Sequence, residues 1–202
     1  RVKFLRQIAE QIRGQTHDDR EVIFVAHSPD FRDEQIEEAF HGVGRLRILR
    51  NAAGNVLADG LNMAMDAAEG DYCAKFDDDD YYGPNYLADA MLGFSYSRRI
   101  GVVGKQSFFG YVQSLDRMVL RFPGRSHRMA KRVHGGTLVW DREATDGIRF
   151  ERVVQGTDSL FINACVANDV GILSGDAYNF VHIRYAAPSS HTWKIADEEF
   201  VS

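Results

Sequence analysis

The sequence is short of the residues that build several familiar kinds of protein. It holds two cysteines, Cys73 and Cys165, too few for a disulfide framework, and neither has neighbours at zinc-ligand spacing. It has four prolines and no Pro- or Ser-rich stretch to mark a linker, and no repeat period is visible. No run of about 18 uncharged apolar residues is present, so no membrane span is expected, and no apolar signal segment opens the chain. An excess of positive charge is lacking too: 24 basic residues face 29 acidic ones, a formal net charge of −5, so the total charge gives no reason to expect nucleic-acid binding. What is present, 45% hydrophobic and 26% charged residues over a length of 202, excludes a disordered tail or collagen-like repeat. One soluble, cytoplasmic globular domain is expected.

The total hides an asymmetry. Residues 98–132 carry nine basic side chains, among them Arg117, Arg121, Arg125, Arg128, Lys131 and Arg132, against the single acid Asp116. One reading is a solvated basic face. The sharper one is a mobile basic flap near an anionic ligand, either a donor diphosphate or an anionic acceptor.

Periodicity orders the chain. Val2, Leu5, Ile8 and Ile12 recur at helical spacing, which predicts a helix over 2–14 ending near Gly14. Short β-rich runs at 21–27, 45–49 and 71–76 predict strands, separated by helices at 33–40 and 55–69. Pro84 suits the first turn of a further helix. Strand and helix alternate over this half, the pattern of a parallel α/β layer. Beyond it the chain changes character: 107–112 and 117–122 read as an antiparallel hairpin, 136–141, 170–173 and 180–184 as strands, and 158–168 as a helix.

The most informative stretch is Asp77-Asp78-Asp79-Asp80, set between an apolar strand end and Tyr81-Tyr82-Gly83-Pro84. If the strand continues through it, Asp77 and Asp79 share one face and Asp78 and Asp80 the other. Four adjacent carboxylates repel one another. A hard cation such as Mg²⁺ or Mn²⁺, which takes oxygen ligands and bridges one or two carboxylates to substrate phosphates, relieves that repulsion. Ligands of open α/β sheets bind outside the carboxyl ends of strands, where this cluster sits. An acidic surface turn or a helix-capping cluster is the plainer alternative.

The context carries more than the cluster. A helix running into Ala68-Glu69-Gly70-Asp71-Tyr72, a strand, the aspartates, an aromatic pair and a Pro-started helix together resemble the nucleotide-sugar glycosyltransferases of family 2 with the GT-A fold. Gln15 and Thr16 match the family's opening, Gly136-Thr137-Leu138-Val139-Trp140-Asp141-Arg142 resembles the strand and turn before the acceptor site, and Gln155-Gly156-Thr157-Asp158 stands where the family has G-E-D, with Thr157 replacing the Glu. The His191-Thr192-Trp193 ending is similar to bacterial members found beside or fused to CgeB-like spore-maturation glycosyltransferases. The likeness spans roughly residues 3–193.

The resemblance implies an α/β GT-A fold: a mixed, mostly parallel central sheet flanked by helices, Rossmann-like in its first half. It implies a single domain over 1–202, with a nucleotide-sugar half at 1–97 and an acceptor-binding, catalytic half at 98–202, and with the family's first strand missing before Arg1. It further implies that Asp79 binds Mn²⁺ or Mg²⁺, that Asp77 contacts ribose or the metal through water, that Asp80 approaches the donor sugar, and that Asp158 is the base. Capping of the 158–168 helix is the alternative for Asp158. Arg184 is a candidate phosphate clamp, with His182 on the same strand face. His191 is a candidate metal ligand or phosphate donor, and Asn51 and Asp59 are candidates near the nucleotide. Trp193 suits stacking on a sugar or base, or the core. Gly135 and Gly136, after His134, allow close approach to an acceptor sugar or simply a bend.

The expected activity is metal-dependent, inverting transfer of a hexose or N-acetylhexosamine from a nucleotide sugar, UDP-linked for preference, to a glycan acceptor, in a chain open to fusion with a further glycosyltransferase domain. A nucleotidyltransferase with a similar metal-phosphate site, or a non-catalytic carbohydrate-binding domain of the same fold, are the competing expectations.

Overall fold

The computed structural model describes residues 2–186 and 196–201. A 3₁₀ turn, Val2–Phe4, leads into α1 (Leu5–Arg13), whose Leu5, Ile8 and Ala9 face the core before the chain breaks at Gly14. β1 (Glu21–Ala26), α2 (Asp33–Ala39) and β2 (Arg45–Arg50) form a βαβ unit in which the two strands pair in parallel. There follow α3 (Leu57–Ala67), β3 (Tyr72–Ala74), β4 (Tyr81–Tyr82), α4 (Tyr86–Ser95) and β5 (Ile100–Gly104). The later half supplies β6 (Phe108–Val112), β7 (Arg117–Arg121), β8 (Arg128–Ala130), β9 (Val139–Asp141), α5 (Thr157–Ala167), β10 (Gly171–Ser174), β11 (Phe180–Arg184) and α6 (Asp197–Val201).

The strands fall into a β1–β2 pair, a five-stranded sheet ordered β3-β9-β5-β10-β8 and a four-stranded sheet ordered β4-β11-β6-β7. The α/β class and the mixed sheet are as expected. Parallel pairing is the lesser part of it among the described residues: β1–β2, β5–β10 and β6–β11 are parallel, and the other ladders are antiparallel. The reason is connectivity. Only a crossover brings two strands parallel; β7 returns directly on β6, while β8 and β9 reach antiparallel partners distant in the chain. The 107–122 hairpin forms as expected, β6 against β7. The basic segment is no flap, because β8 is laid into the sheet edge against β10.

Two packed clusters hold the layers together. One joins α1, β1, α2, α4 and β5 to Phe108, Phe180 and Phe200 of the later half. The other gathers Trp140, Phe150 and Phe161, with the Phe150 and Phe161 rings stacked at 4.3 Å, beneath the buried face of α5. No helix among the described residues is long and apolar enough to cross a membrane.

Two glutamines of the first helix region lock the segment that leads to the aspartates. The Gln11 side-chain carbonyl accepts the Tyr82 N–H at 2.7 Å, and its amide donates to the Asp80 carbonyl at 3.3 Å. Gln15, 3% exposed, donates to the Gly83 carbonyl at 2.8 Å and accepts the Leu87 N–H at 3.0 Å. Thr16 adds exposed bonds to Pro84 and Asn85. Gln15→Met strands a buried carbonyl and a buried N–H, each worth about 1–3 kcal/mol, so it is expected to lower stability in urea titration by about 2–5 kcal/mol. Thr16→Val, with its bonds open to water, is expected to cost less than about 1 kcal/mol.

Candidate active site

β3 ends at Ala74, and the next residue places a lysine where the strand pattern calls for an apolar side chain. Its backbone N–H still pairs, to the Leu138 carbonyl at 2.9 Å, while its side chain turns inward and is 4% exposed. An isolated buried ammonium costs several kcal/mol, so it must be matched by charge and hydrogen bonds. Lys75 Nζ lies 2.8 Å from Asp77 Oδ1, 3.4 Å from Asp158 Oδ2 and 3.3 Å from the Gly135 carbonyl. Burial by itself lowers the lysine's proton affinity, but the two carboxylates outweigh it and hold the ammonium firmly charged. One cation thus ties the carboxyl end of β3 to the start of α5.

The aspartates do not continue the strand. Residues 78 and 79 form a turn, with the Asp80 N–H directed at the Asp77 carbonyl, so the two-faced alternation expected of a strand does not apply. The Asp77 N–H donates to Tyr82 Oη at 2.8 Å, and that hydroxyl donates to the Gly136 carbonyl at 2.6 Å. Asp80 is 3% exposed, and its Oδ1 accepts the Ile183 N–H at 3.0 Å and lies 3.0 Å from His182 Nδ1. Burial opposes a charged imidazole at His182, but Asp80 prevails and raises its proton affinity. Asp80 therefore anchors the turn to β11 through its Oδ1.

Gly135 and Gly136 pass directly against the carboxylates. A Cβ at Gly135 falls 2.5 Å from Asp158 Oδ2, and one at Gly136 falls 3.0 Å from both Asp77 Oδ2 and Asp80 Oδ2. Both glycines are close-approach residues. The turn is set by His134, whose Nδ1 accepts the Gly136 N–H at 3.2 Å while its backbone N–H donates to the Lys105 carbonyl at 2.8 Å. Burial, helped by neighbouring His182, pushes the His134 imidazole down to about 3.

Asp158 sits in the first turn of α5, but the helix cap is Gly156 at φ +84°, with no side-chain capping bond, so the capping alternative for Asp158 falls away. Its Oδ1 is buried without a hydrogen-bond partner among the described residues. Burial raises its proton affinity, and Lys75 opposes that shift. A carboxylate with an unspent oxygen and a raised proton affinity is suited to accept a proton.

The other expected residues divide. Arg184 is 3% exposed, paired with Asp197 at 3.0 Å and laid over the Phe200 ring, which makes it a packing residue and not a phosphate clamp in this structure. Asp59 accepts the Val56 N–H at 2.8 Å at the start of α3 and pairs with Arg152 at 2.9 Å, so its carboxylate too is engaged. Asn51, at the end of β2, donates to the Val56 carbonyl and contacts His27 Nδ1 at 2.9 Å. His191 and Trp193 lie outside the described residues. Lys75 and Tyr82 were not singled out by sequence. The available signal for Lys75 was a charged residue in an otherwise apolar strand two positions before Asp77.

Two measurements test this arrangement. His134→Asn keeps an acceptor for Gly136 and removes the titration. Because the folded-state value lies below the unfolded one, wild-type stability is full above about 6.5 and falls as pH drops toward about 3, by up to about 1.4 kcal/mol per pH unit. Denaturation across that window is expected to show a shallower loss in the variant. Gly135→Ala drives a methyl into the Asp158 carboxylate and is expected to cost about 1–3 kcal/mol by urea titration.

The geometry can be set beside known proteins. The family described as glycosyl transferase family 2 matches residues 1–154. No curated protein sequence matches the chain. Among solved structures, the mannosyltransferase PcManGT of Pyrobaculum calidifontis, in complex with GDP-Man and Mn²⁺, superposes with a TM-score of 0.72 at 15% identity, over 94% of this chain and 55% of that one. TarS 1-349 of S. aureus gives 0.66 at 18% identity, over 90% and 57%, and its complex with UDP gives 0.65 at 20%, over 89% and 55%. The chain thus spans little more than half the length of these structures, and at such identities the likeness is one of fold. With well over half of its length matched by the family, the chain belongs to glycosyl transferase family 2.

Proposed function

We propose that this domain transfers a hexose or N-acetylhexosamine from a nucleoside diphosphate sugar to a hydroxyl acceptor, with inversion at the anomeric carbon. The observation that carries the reading is Asp158: buried, raised in proton affinity, with one oxygen unpartnered, and held by Lys75 beside the aspartate turn. In the proposed step the acceptor oxygen bonds to the anomeric carbon, its proton passes to Asp158, and the bond to the diphosphate breaks with its electron pair leaving on the diphosphate. An unactivated hydroxyl is a weak nucleophile, so the carboxylate's worth is about 10²–10⁴ in rate. Residues 1–97 serve the donor and 98–202 the acceptor, with Gly135 and Gly136 letting backbone and sugar come close.

The donor set fits a hard divalent cation, Mn²⁺ or Mg²⁺. Asp77, Asp78 and Asp79 offer only oxygen ligands, and no group of three or more His, Cys, Asp or Glu converges on one point among the described residues. Such an ion is commonly held by one or two carboxylates and completed by substrate phosphates. Asp79 is its proposed ligand, with Asp77 second. The chemistry such an ion supplies is neutralisation of charge on the departing diphosphate. The Mn²⁺ and GDP-Man bound to PcManGT and the UDP bound to TarS support a donor of this class, and UDP-sugars are the first to try.

Screening UDP-, GDP-, CDP- and dTDP-sugars with Mn²⁺ is expected to reveal one donor that is turned over. With it, Asp158→Asn is expected to lose about 10²–10⁴ in turnover while nucleotide binding by calorimetry persists. Asp79→Asn is expected to lose cation-dependent nucleotide binding. Full turnover by Asp158→Asn rejects the assignment of the base.

A further inference from the structure

The basic segment found in the sequence resolves into two kinds of residue. Lys105 is buried against Asp176 at 2.6 Å, and Arg121 donates to the Phe200 carbonyl at 2.5 Å. Arg125, Arg128, Lys131 and Arg132 are all exposed, and none of them is in an ion pair among the described residues. Other arginines divide: Arg45 and Arg47 pair with Glu69, Arg50 with Asp33, Arg149 with Asp66 and Arg152 with Asp59, whereas the exposed Arg32, Arg98, Arg99 and Arg117 are in no ion pair among the described residues. What sets Arg125, Arg128, Lys131 and Arg132 apart is that four such cations follow one another within eight residues.

Three of them share a concavity. Arg125, Arg128 and Lys131 line an open groove of about 530 Å³ along the β8–β10 edge, with Gln106 at one end, Val166 of α5 at the other, and Asp169 as the opposing acid. β8 and β3 are the two outer strands of the five-stranded sheet. Four interstrand spacings of about 4.8 Å put the groove about 19 Å from the β3 end. That is too far for these side chains to meet a diphosphate held at the aspartate turn. It is not far from the proposed base. Asp158 and Val166 stand on the same helix, eight residues or about 12 Å apart. Gln106 follows Lys105, whose carbonyl holds the His134 turn.

We infer that this groove binds an extended polyanion, a chain bearing phosphate or carboxylate groups, which serves as the acceptor. The role as acceptor rests on the transferase reading above, whereas the binding itself does not. A concave row of cations fits a chain better than a flat bilayer. Its lining holds no aromatic ring on which nucleic acid bases stack.

The test uses the full chain with fluorescently labelled inorganic polyphosphate and polygalacturonate, followed by anisotropy, with neutral dextran as a comparison. Binding of one or both polyanions is expected, weakening steadily with salt, and dextran is expected not to bind. The variant R125A/R128A/K131A is expected to lose about tenfold or more in affinity. R98A/R99A/R117A, which removes as much charge from other exposed sites, is expected to stay within about twofold. Asp158→Asn is expected to bind polyanion as wild type does, and nucleotide binding with Mn²⁺ is expected to be unchanged in the groove variant. Equal weakening in both triple variants, or tighter binding to phosphatidylglycerol vesicles or a single-stranded oligonucleotide, overturns the proposal. Groove-dependent polyanion binding by a chain that transfers no sugar upholds the groove and rejects only its use as an acceptor site.

Discussion

A buried ammonium has to be answered, and the answer given to Lys75 organises the site. The lysine sits just past the end of β3, closed off from water, where one unpaired charge outweighs several well-packed side chains in cost. Two carboxylates and a backbone carbonyl converge on it from three separate places in the sequence: the aspartate turn, the glycine turn and the first turn of α5. Each of those segments is a loop or a helix end that packing alone would leave adjustable. The shared cation makes their relative position a single condition.

The surrounding structure keeps that condition narrow. Gln11 and Gln15 hold the chain after the aspartates from the side of α1, Asp80 fastens it to β11, and Tyr82 bridges it to the glycine turn through one hydroxyl. The glycine turn comes so near the carboxylates that a single methyl group has no room. Rigid placement of this kind matters for chemistry because an acid or base acts within hydrogen-bond reach or not at all. The cost is visible in Asp158, whose unpartnered oxygen is a polar group the fold leaves unsatisfied.

Charge is sorted across the molecule as well as within the site. The carboxylates gather at the carboxyl end of β3, while Arg125, Arg128 and Lys131 gather in and beside β8, at the opposite edge of the same sheet. Within a Debye length of about 8 Å the two would neutralise each other; several strands apart, each keeps its own field. A net charge of −5 describes neither region.

The order of elements was legible in the chain because it rests on local periodicity. The helix of α1, the strands β1 and β2, the β6–β7 hairpin and α5 all follow their apolar spacing to within a residue or two. The aspartate run and Gly135-Gly136 were legible as places of interest, since four adjacent carboxylates and paired glycines are conspicuous in any context. What the sequence by itself determined is therefore the α/β alternation and the identity of the chemically unusual stretches. Tertiary structure alone decided what each unusual residue does. Asp80 and Asp158 are the same side chain in acidic or helix-starting surroundings, yet one is fastened to β11 through its Oδ1 and the other is held by Lys75 at the start of α5. Arg184 and Arg128 both looked like phosphate binders, yet one lies buried over Phe200 and the other stands in an open groove. The physical reason is that charge and hydrogen bonding are settled by whichever groups come within about 3 Å, and Lys75, Asp77, Gly135 and Asp158 are brought that close only when sheet and helices close around them.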